Sequence, residues 1–349
     1  MKVGCVMKSK FAIALGFILL STAAASAAGL ALPPKTEFKV IPLVSDQPGV
    51  APNTDPNLVN PWGLSQAPGN PLWVADNGTD LSTLYDPSSG AINPLVVGIN
   101  PGAPTGTVFV PPGTGWPISK NGASDDSIFL FDTESGAILG WSFNVDQNNA
   151  VVGVDNSKNG SVYKGLAVDV PDVLLFAADF ANNEIQVYDG NWKLVRKFTD
   201  TSLPKRFAPF NVQWLNGKLY ASFAKRERGG DDEIDKLGFG YVDVFDSKGK
   251  LLKHLISNGK LDAPWGMVIA PSGFGKLAGT LLVGNFGNGR VHAYDADTGD
   301  FMATLNDDNG NPIKIDGLWS LFPGPDDSTI MFSAGPDGES HGLVGQIKK

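Results

Sequence analysis

The sequence predicts an all-β fold: a six-bladed β-propeller of four-stranded antiparallel blades, closed by the N-terminal strand. A three-part phrase recurs six times: a strand opening at Pro-aromatic-Gly or a variant of it, an apolar strand ending in a small polar cluster, and a strand ending in aromatic-Asp. The openings are Asn60-Pro61-Trp62-Gly63, Ala103-Pro104-Thr105-Gly106, Tyr163-Lys164-Gly165, Ala208-Pro209-Phe210-Asn211, Ala263-Pro264-Trp265-Gly266 and Ile315-Asp316-Gly317, spaced by 43, 59, 46, 55 and 51 residues. That period suits propeller blades rather than helical repeats, and one such unit cannot bury its own faces without its neighbours.

A targeting segment precedes the blades. Lys2, Lys8 and Lys10 make a basic start, residues 11–20 are apolar, and Ala25-Ser26-Ala27 supplies small residues for cleavage after Ala27. This is the pattern of a signal peptide over 1–27, and it predicts export to the periplasm or the exterior. The apolar core is ten residues long, short of the ~20 that spanning a membrane requires. The only cysteine, Cys5, leaves with the peptide. The remaining domain, 28–349, therefore has neither a disulfide nor a thiolate metal site. Its 24 basic and 36 acidic residues give a formal charge of −12. This excludes nucleic acid and anionic lipid, whose affinity rests on Lys and Arg, and suits a soluble monomer.

Residues 38–44 form a short apolar strand through Phe38, Val40, Ile41, Leu43 and Val44. They read as the outer strand of the last blade, which otherwise has three. Closure in this way removes open sheet edges, and Pro42 is tolerated on an outermost strand. Second strands are expected at 72–75, 128–131, 173–178, 218–223, 280–283 and 329–333, and third strands at 83–85, 138–143, 184–188, 241–245, 291–294 and 342–347. In blade three, 164–168 is the inner strand and 193–198 the outer, with Asp, Asn and Gly in the turns that favour left-handed backbone. The segment 132–136 fits either of two hairpins in blade two.

The stretch Ala178-Asp179-Phe180-Ala181-Asn182-Asn183-Glu184-Ile185-Gln186-Val187-Tyr188-Asp189 resembles the core of an NHL repeat, and Gly284-Asn285-Phe286-Gly287-Asn288-Gly289-Arg290-Val291 is a looser version. The Asn-Pro-Trp-Gly-Leu opening followed by Leu72-Trp73-Val74-Ala75-Asp76-Asn77-Gly78 resembles an uncharacterised family of secreted bacterial six-bladed propellers, some with a C-terminal sorting anchor. The resemblance implies the propeller fold over roughly 38–347 and no particular activity, since such propellers serve both as binding platforms and as enzymes.

In a propeller, the inner-strand openings share one face with the turns between second and third strands. Just before each repeat Gly or Asn stand Trp62, Thr105, Lys164, Phe210, Trp265 and Asp316. With Asn211 they predict a ligand-binding rim for a protein partner or glycan, although each aromatic also serves packing. Lys164, Asn211 and Asp316 are expected at one channel mouth and partly exposed. A second reading takes Asp76, Asp179, Asn211, Asn285 and Asp316 as hard oxygen ligands for calcium, as in a lactonase-type hydrolase, against the simpler reading of these residues as turn formers. The run Asp231-Asp232-Glu233-Ile234-Asp235 reads as a solvated charge run in a mobile loop. The histidines, His254, His292 and His341, fall on different blades as surface residues. No G-x-S-x-G, H-E-x-x-H or P-loop is present.

Overall fold

The computed structural model describes Met1 and residues 37–349. Residues 2–27 of the expected signal segment, with Cys5 and the expected cleavage position at Ala27, lie outside the described residues. Residues 37–349 form six sheets arranged as the blades of a β-propeller.

Blade one is Pro61–Gln66, Leu72–Asp76, Leu81–Tyr85 and Val97–Gly98 from inside to outside. Blade two is Pro104–Phe109, Phe129–Thr133, Ala137–Trp141 and Val151–Asp155, with the hairpin Pro117–Lys120 and Ala123–Asp126 inserted after its first strand. The segment 132–136 joins its second and third strands, which settles the hairpin left open by the sequence. Blade three is Tyr163–Asp169, Leu174–Asp179, Glu184–Asp189 and Leu194–Phe198, and blade four is Phe207–Leu215, Lys218–Lys225, Tyr241–Phe245 and Leu251–Ser257. Blade five is Pro264–Ile269, Leu281–Asn285, Val291–Tyr294 and Phe301–Thr304. Blade six is Leu318–Pro323, Thr329–Ala334 and Leu343–Lys348, and Lys39–Ser45 lies antiparallel beside Leu343–Lys348.

Burial explains the apolar runs. Leu72–Asp76, Leu281–Asn285 and Thr329–Ala334 are buried along their whole length, because a second strand is covered by both neighbouring blades. One core cluster joins Val268, Leu282 and Val291 of blade five to Leu318, Ile330 and Phe332 of blade six. Outer strands such as Leu194–Phe198 are largely exposed.

The small residue after each aromatic has a steric cause. A Cβ on Gly63 would lie 2.5 Å from the Thr105 carbonyl oxygen, and one on Gly266 would lie 2.6 Å from that of Trp319. Inner strands of adjacent blades approach too closely there for a side chain on that face.

This contact also corrects the phase of the sixth opening. Leu318 pairs with Ala334 as Pro61 pairs with Asp76, with the same register shift after it. The residue equivalent to Trp62 is therefore Trp319, followed by Ser320, and not Asp316. Gly317 has φ +62° and serves the turn before the strand, while Asp316 is an exposed turn residue whose Oδ2 accepts the Asp337 N–H at 3.0 Å.

Candidate functional site

The position before each repeat Gly, Asn or Ser lines the channel, and its occupants close it. Trp62 stacks on Trp319 at 3.4 Å between ring centroids, and Phe286 stacks on the same Trp319 at 4.0 Å. Trp265 meets Trp62 edge-on at 6.1 Å, Phe210 lies 5.9 Å from Trp319, and Phe180 lies 5.4 Å from Phe210. Trp62, Phe180, Phe210, Trp265 and Trp319 are all buried. Together they form an aromatic floor across the propeller axis, each ring supplied by a different blade except Phe286, which shares blade five with Trp265.

Polar side chains fix the floor. Trp265 Nε1–H donates to the Lys164 carbonyl at 2.8 Å, Asn211 Nδ2–H to the Trp265 carbonyl at 2.8 Å, and Trp319 Nε1–H to Asn60 Oδ1 at 3.0 Å. Asn211 is buried and engaged with backbone, so it is part of the frame, contrary to the exposed position expected for it.

Lys164 is likewise buried rather than partly exposed, its side chain 2% accessible. Its Nζ lies 5.2 Å from the Trp62 ring centroid and 5.7 Å from that of Phe180. It donates to Glu134 Oε1 at 2.9 Å, with Asp232 Oδ1 and Glu233 Oε2 each at 3.8 Å. Burial pushes the ammonium down, but Glu134, Glu233 and Asp232 together outweigh burial and hold Lys164 above the ordinary lysine value. Glu134 is held on its other oxygen by Asn77 Nδ2–H at 2.9 Å, and Glu339 by Asn60 Nδ2–H at 3.1 Å.

The carboxylates outnumber the cation. Burial pushes Glu233 up to about 7; Lys164 opposes the rise, while Asp235 and Glu339 add to it. Burial and the nearby Asp262 push Asp235 up to about 6. Glu339 is also raised, by burial first and then by Glu134 and Asp232, against the Asn60 bond and Lys164. The segment 226–240 is an ordered excursion rather than a mobile charge run. Glu227 N–H donates to Asp232 O at 2.8 Å and Ile234 N–H to Lys225 O at 2.7 Å. Arg226 caps the excursion by donating to the Phe180 and Ala181 carbonyls.

The second-strand polar residues do a different job from the metal ligation weighed above. Asp76 Oδ2 accepts the Thr83 N–H at 2.9 Å, and burial holds Asp76 well above the carboxylate range. Asp179 accepts from Gln186 Nε2 at 2.8 Å and Asn182 Nδ2 at 2.9 Å. Asn285 Nδ2–H donates to the Lys260 carbonyl at 2.8 Å. Asp132 Oδ1 accepts the Gly106 N–H at 2.6 Å and the Thr105 hydroxyl at 2.9 Å, and burial pushes it up to about 7. These residues brace the strands and turns around them, within a blade or at its junction with the next. Asp76, Asp179 and Asp316 are not drawn together as a cluster of ligand atoms: among the described residues, the group of His, Asp and Glu side chains within 4.8 Å of one another is Asp200, Asp243 and His254 on blade four.

The sequence reading missed Glu134, Glu233, Glu339, Phe180, Phe286 and Trp319. One signal for the carboxylates was present: a lysine at a channel position needs a counter-charge when it is buried. His292 is buried, not a surface residue. Burial, with Lys260 and Arg290, lowers it to about 4, and its Nδ1 lies 3.0 Å from Thr304 Oγ1.

These raised carboxyl groups set a pH dependence of stability. Glu233, Asp132 and Asp235 bind protons more tightly folded than unfolded, so the stability they contribute is full below about pH 4 and is lost as pH rises through 6 to 7. The melting temperature is expected to fall between pH 5 and pH 8. Glu233→Gln should flatten that slope in thermal melts, and an unchanged slope would remove Glu233 from the account.

No family model matches the chain. The uncharacterised protein R648 of Acanthamoeba polyphaga mimivirus is 33% identical over 332 residues, covering 90% of this chain and 81% of that protein. The uncharacterised protein L690 of the same virus is 33% identical over 326 residues, covering 89% of this chain and 86% of its own. A luciferin-regenerating enzyme of known structure matches with a TM-score of 0.53 at 15% identity, over 84% of this chain and 92% of that one. That likeness is one of fold. At 33% identity over most of both lengths, the chain belongs to the same family as the mimivirus proteins R648 and L690.

Proposed function

We propose that the protein is an exported, non-catalytic binding module whose channel-mouth face holds a protein partner through a cationic side chain of that partner. The observation that carries this reading is the charge imbalance at the mouth. Glu134, Asp232, Glu233 and Glu339 gather around one ammonium, Lys164, above a floor of stacked rings. One ammonium neutralises one carboxylate, and the surplus negative charge attracts a second cation.

Accessibility supports the same reading. The Asp232 side chain is 80% exposed and Glu134 27%, so both are within reach of a docking Lys or Arg. Asp316 adds an exposed carboxylate beside the segment that bears Glu339. Trp62, Lys164, Phe210, Asn211 and Trp265 serve as the frame beneath the partner. Their buried faces disfavour a glycan, which stacks on exposed rings. The closed floor favours a binder over an enzyme, because a reacting group would need a pocket along the axis. The basic start and apolar run over 1–27 support export.

An arginine-rich peptide titrated into the chain should bind saturably by calorimetry. Replacing Asp232 by Asn and Glu339 by Gln together should weaken it at least about tenfold through lost charge attraction, with little change in melting temperature. Equal binding by that variant, or binding of neutral oligosaccharides in place of the peptide, would contradict the proposal.

A further inference from the structure

Away from the channel, blade four carries a second polar cluster. Asp243 on Tyr241–Phe245 and His254 on Leu251–Ser257 are cross-strand partners, brought side by side next to a bulge between Val242 and Asp243. Asp200 comes from the connection between the outer strand of blade three and the inner strand of blade four. His254 Nδ1 lies 3.1 Å from Asp243 Oδ1 and 3.2 Å from Asp200 Oδ2. The Asp243 side chain is 0% accessible and that of Asp200 4%, while His254 is 45% accessible on its outer side.

Two buried carboxyl groups thus face one ring nitrogen, which carries at most one hydrogen. Asp243 Oδ2 is buried with no hydrogen-bond partner. A fully buried carboxylate with an unpartnered oxygen is costly unless a charge of opposite sign stands near it. Nothing in the packing of a propeller edge requires such an arrangement.

The geometry points to a divalent-cation site of the zinc class, with Asp200, Asp243 and His254 as its three protein ligands. Three ligand atoms within 4.8 Å of one another, with separations of 3.1 and 3.2 Å about Nδ1, match the edges of a polyhedron built from bonds of about 2.0–2.2 Å. The remaining contacts orient the set. The Ser202 N–H donates to Asp200 Oδ1 at 2.8 Å and leaves Oδ2 free to ligate, and Ser202 Oγ lies 3.4 Å from His254 Nε2, a partner for the single ring N–H in the tautomer that ligates through Nδ1. Imidazole with two carboxylates suits zinc, whereas calcium and magnesium take oxygen ligands in larger number. The exposed side of His254 leaves the remaining coordination position to water. A cation here ties the connection from blade three to the outer strand of blade four.

The test uses the full mature chain, stripped with a chelator and dialysed. Zinc chloride titrated by calorimetry should bind at one equivalent per chain and raise the melting temperature by several degrees, with calcium and magnesium giving no comparable shift. Asp243→Asn, nearly isosteric, and His254→Ala, on an exposed outer strand, should each lower zinc affinity at least tenfold, while His341→Ala should not. Absence of stoichiometric zinc binding by the wild-type chain would overturn the assignment, as would unchanged affinity in both site variants. Equal affinity for calcium at the same residues would overturn its zinc character.

Discussion

Replacing Lys164 by Met is expected to destabilise the protein by ~3–5 kcal/mol at pH 8, the cost of stripping a buried charge pair of one partner. Methionine keeps most of the volume against Trp62 and Phe180 and removes the charge alone. Glu134 and Glu233 then lose the ammonium at 2.9 and 3.8 Å, and Glu233 has a side chain only 8% accessible from which to recruit water. The loss should shrink toward pH 5, where Glu233, already raised to about 7 in the wild type, is neutral. Adding Glu233→Gln to Lys164→Met should restore part of the stability at pH 8, a coupling that chemical denaturation of the two single variants and the double variant would resolve. A Lys164→Met chain as stable as wild type at pH 8, or one with the same deficit at pH 5, would show that the cluster is solvated rather than buried.

Removing residues 28–45 should have a larger effect still. Phe38, Leu43 and Val44 are buried, and Lys39–Ser45 covers the last strand from Lys348 to Leu343. Exposing each of those side chains costs about 1.5–3 kcal/mol. The sum is comparable with the ~5–15 kcal/mol that separates folded from unfolded protein. The strand Leu343–Lys348 would also become an open edge, which invites pairing between chains. Loss of a cooperative melt or of solubility is the expected result. A truncated chain melting like the full one would show that the ring holds without its N-terminal strand.

Much of the propeller was legible because its steric demands are local. Gly63 and Gly266 must be small where neighbouring inner strands touch, so the phrase repeats in sequence. The sixth opening was misread for a related reason: Ser320 takes the place of the glycine, and Gly317, required by its own turn at φ +62°, mimicked it three residues early. Trp319, at the centre of the floor, was lost with that shift. The channel position of Lys164 was legible from the repeat, and its environment was not. Glu134, Glu233 and Glu339 reach it from turns of unequal length on three blades, and no periodicity ties those turns together. Asp76 and Asp179 recur for a mechanical reason, since Asp76 holds the third strand of its blade through Thr83 and Asp179 the entry to its blade through Val162, and recurrence alone does not separate a brace from a ligand.

The proposed role of the mouth is tested most directly by counting protons. Burial raises Glu233 to about 7, and a cation docking among the carboxylates favours their charged forms. Binding of an arginine-rich peptide, measured by calorimetry in two buffers of different ionisation enthalpy, should therefore release a fraction of a proton per site, and Glu233→Gln should reduce that release. Binding with no net proton exchange, or with proton uptake, would contradict a cation held at this mouth.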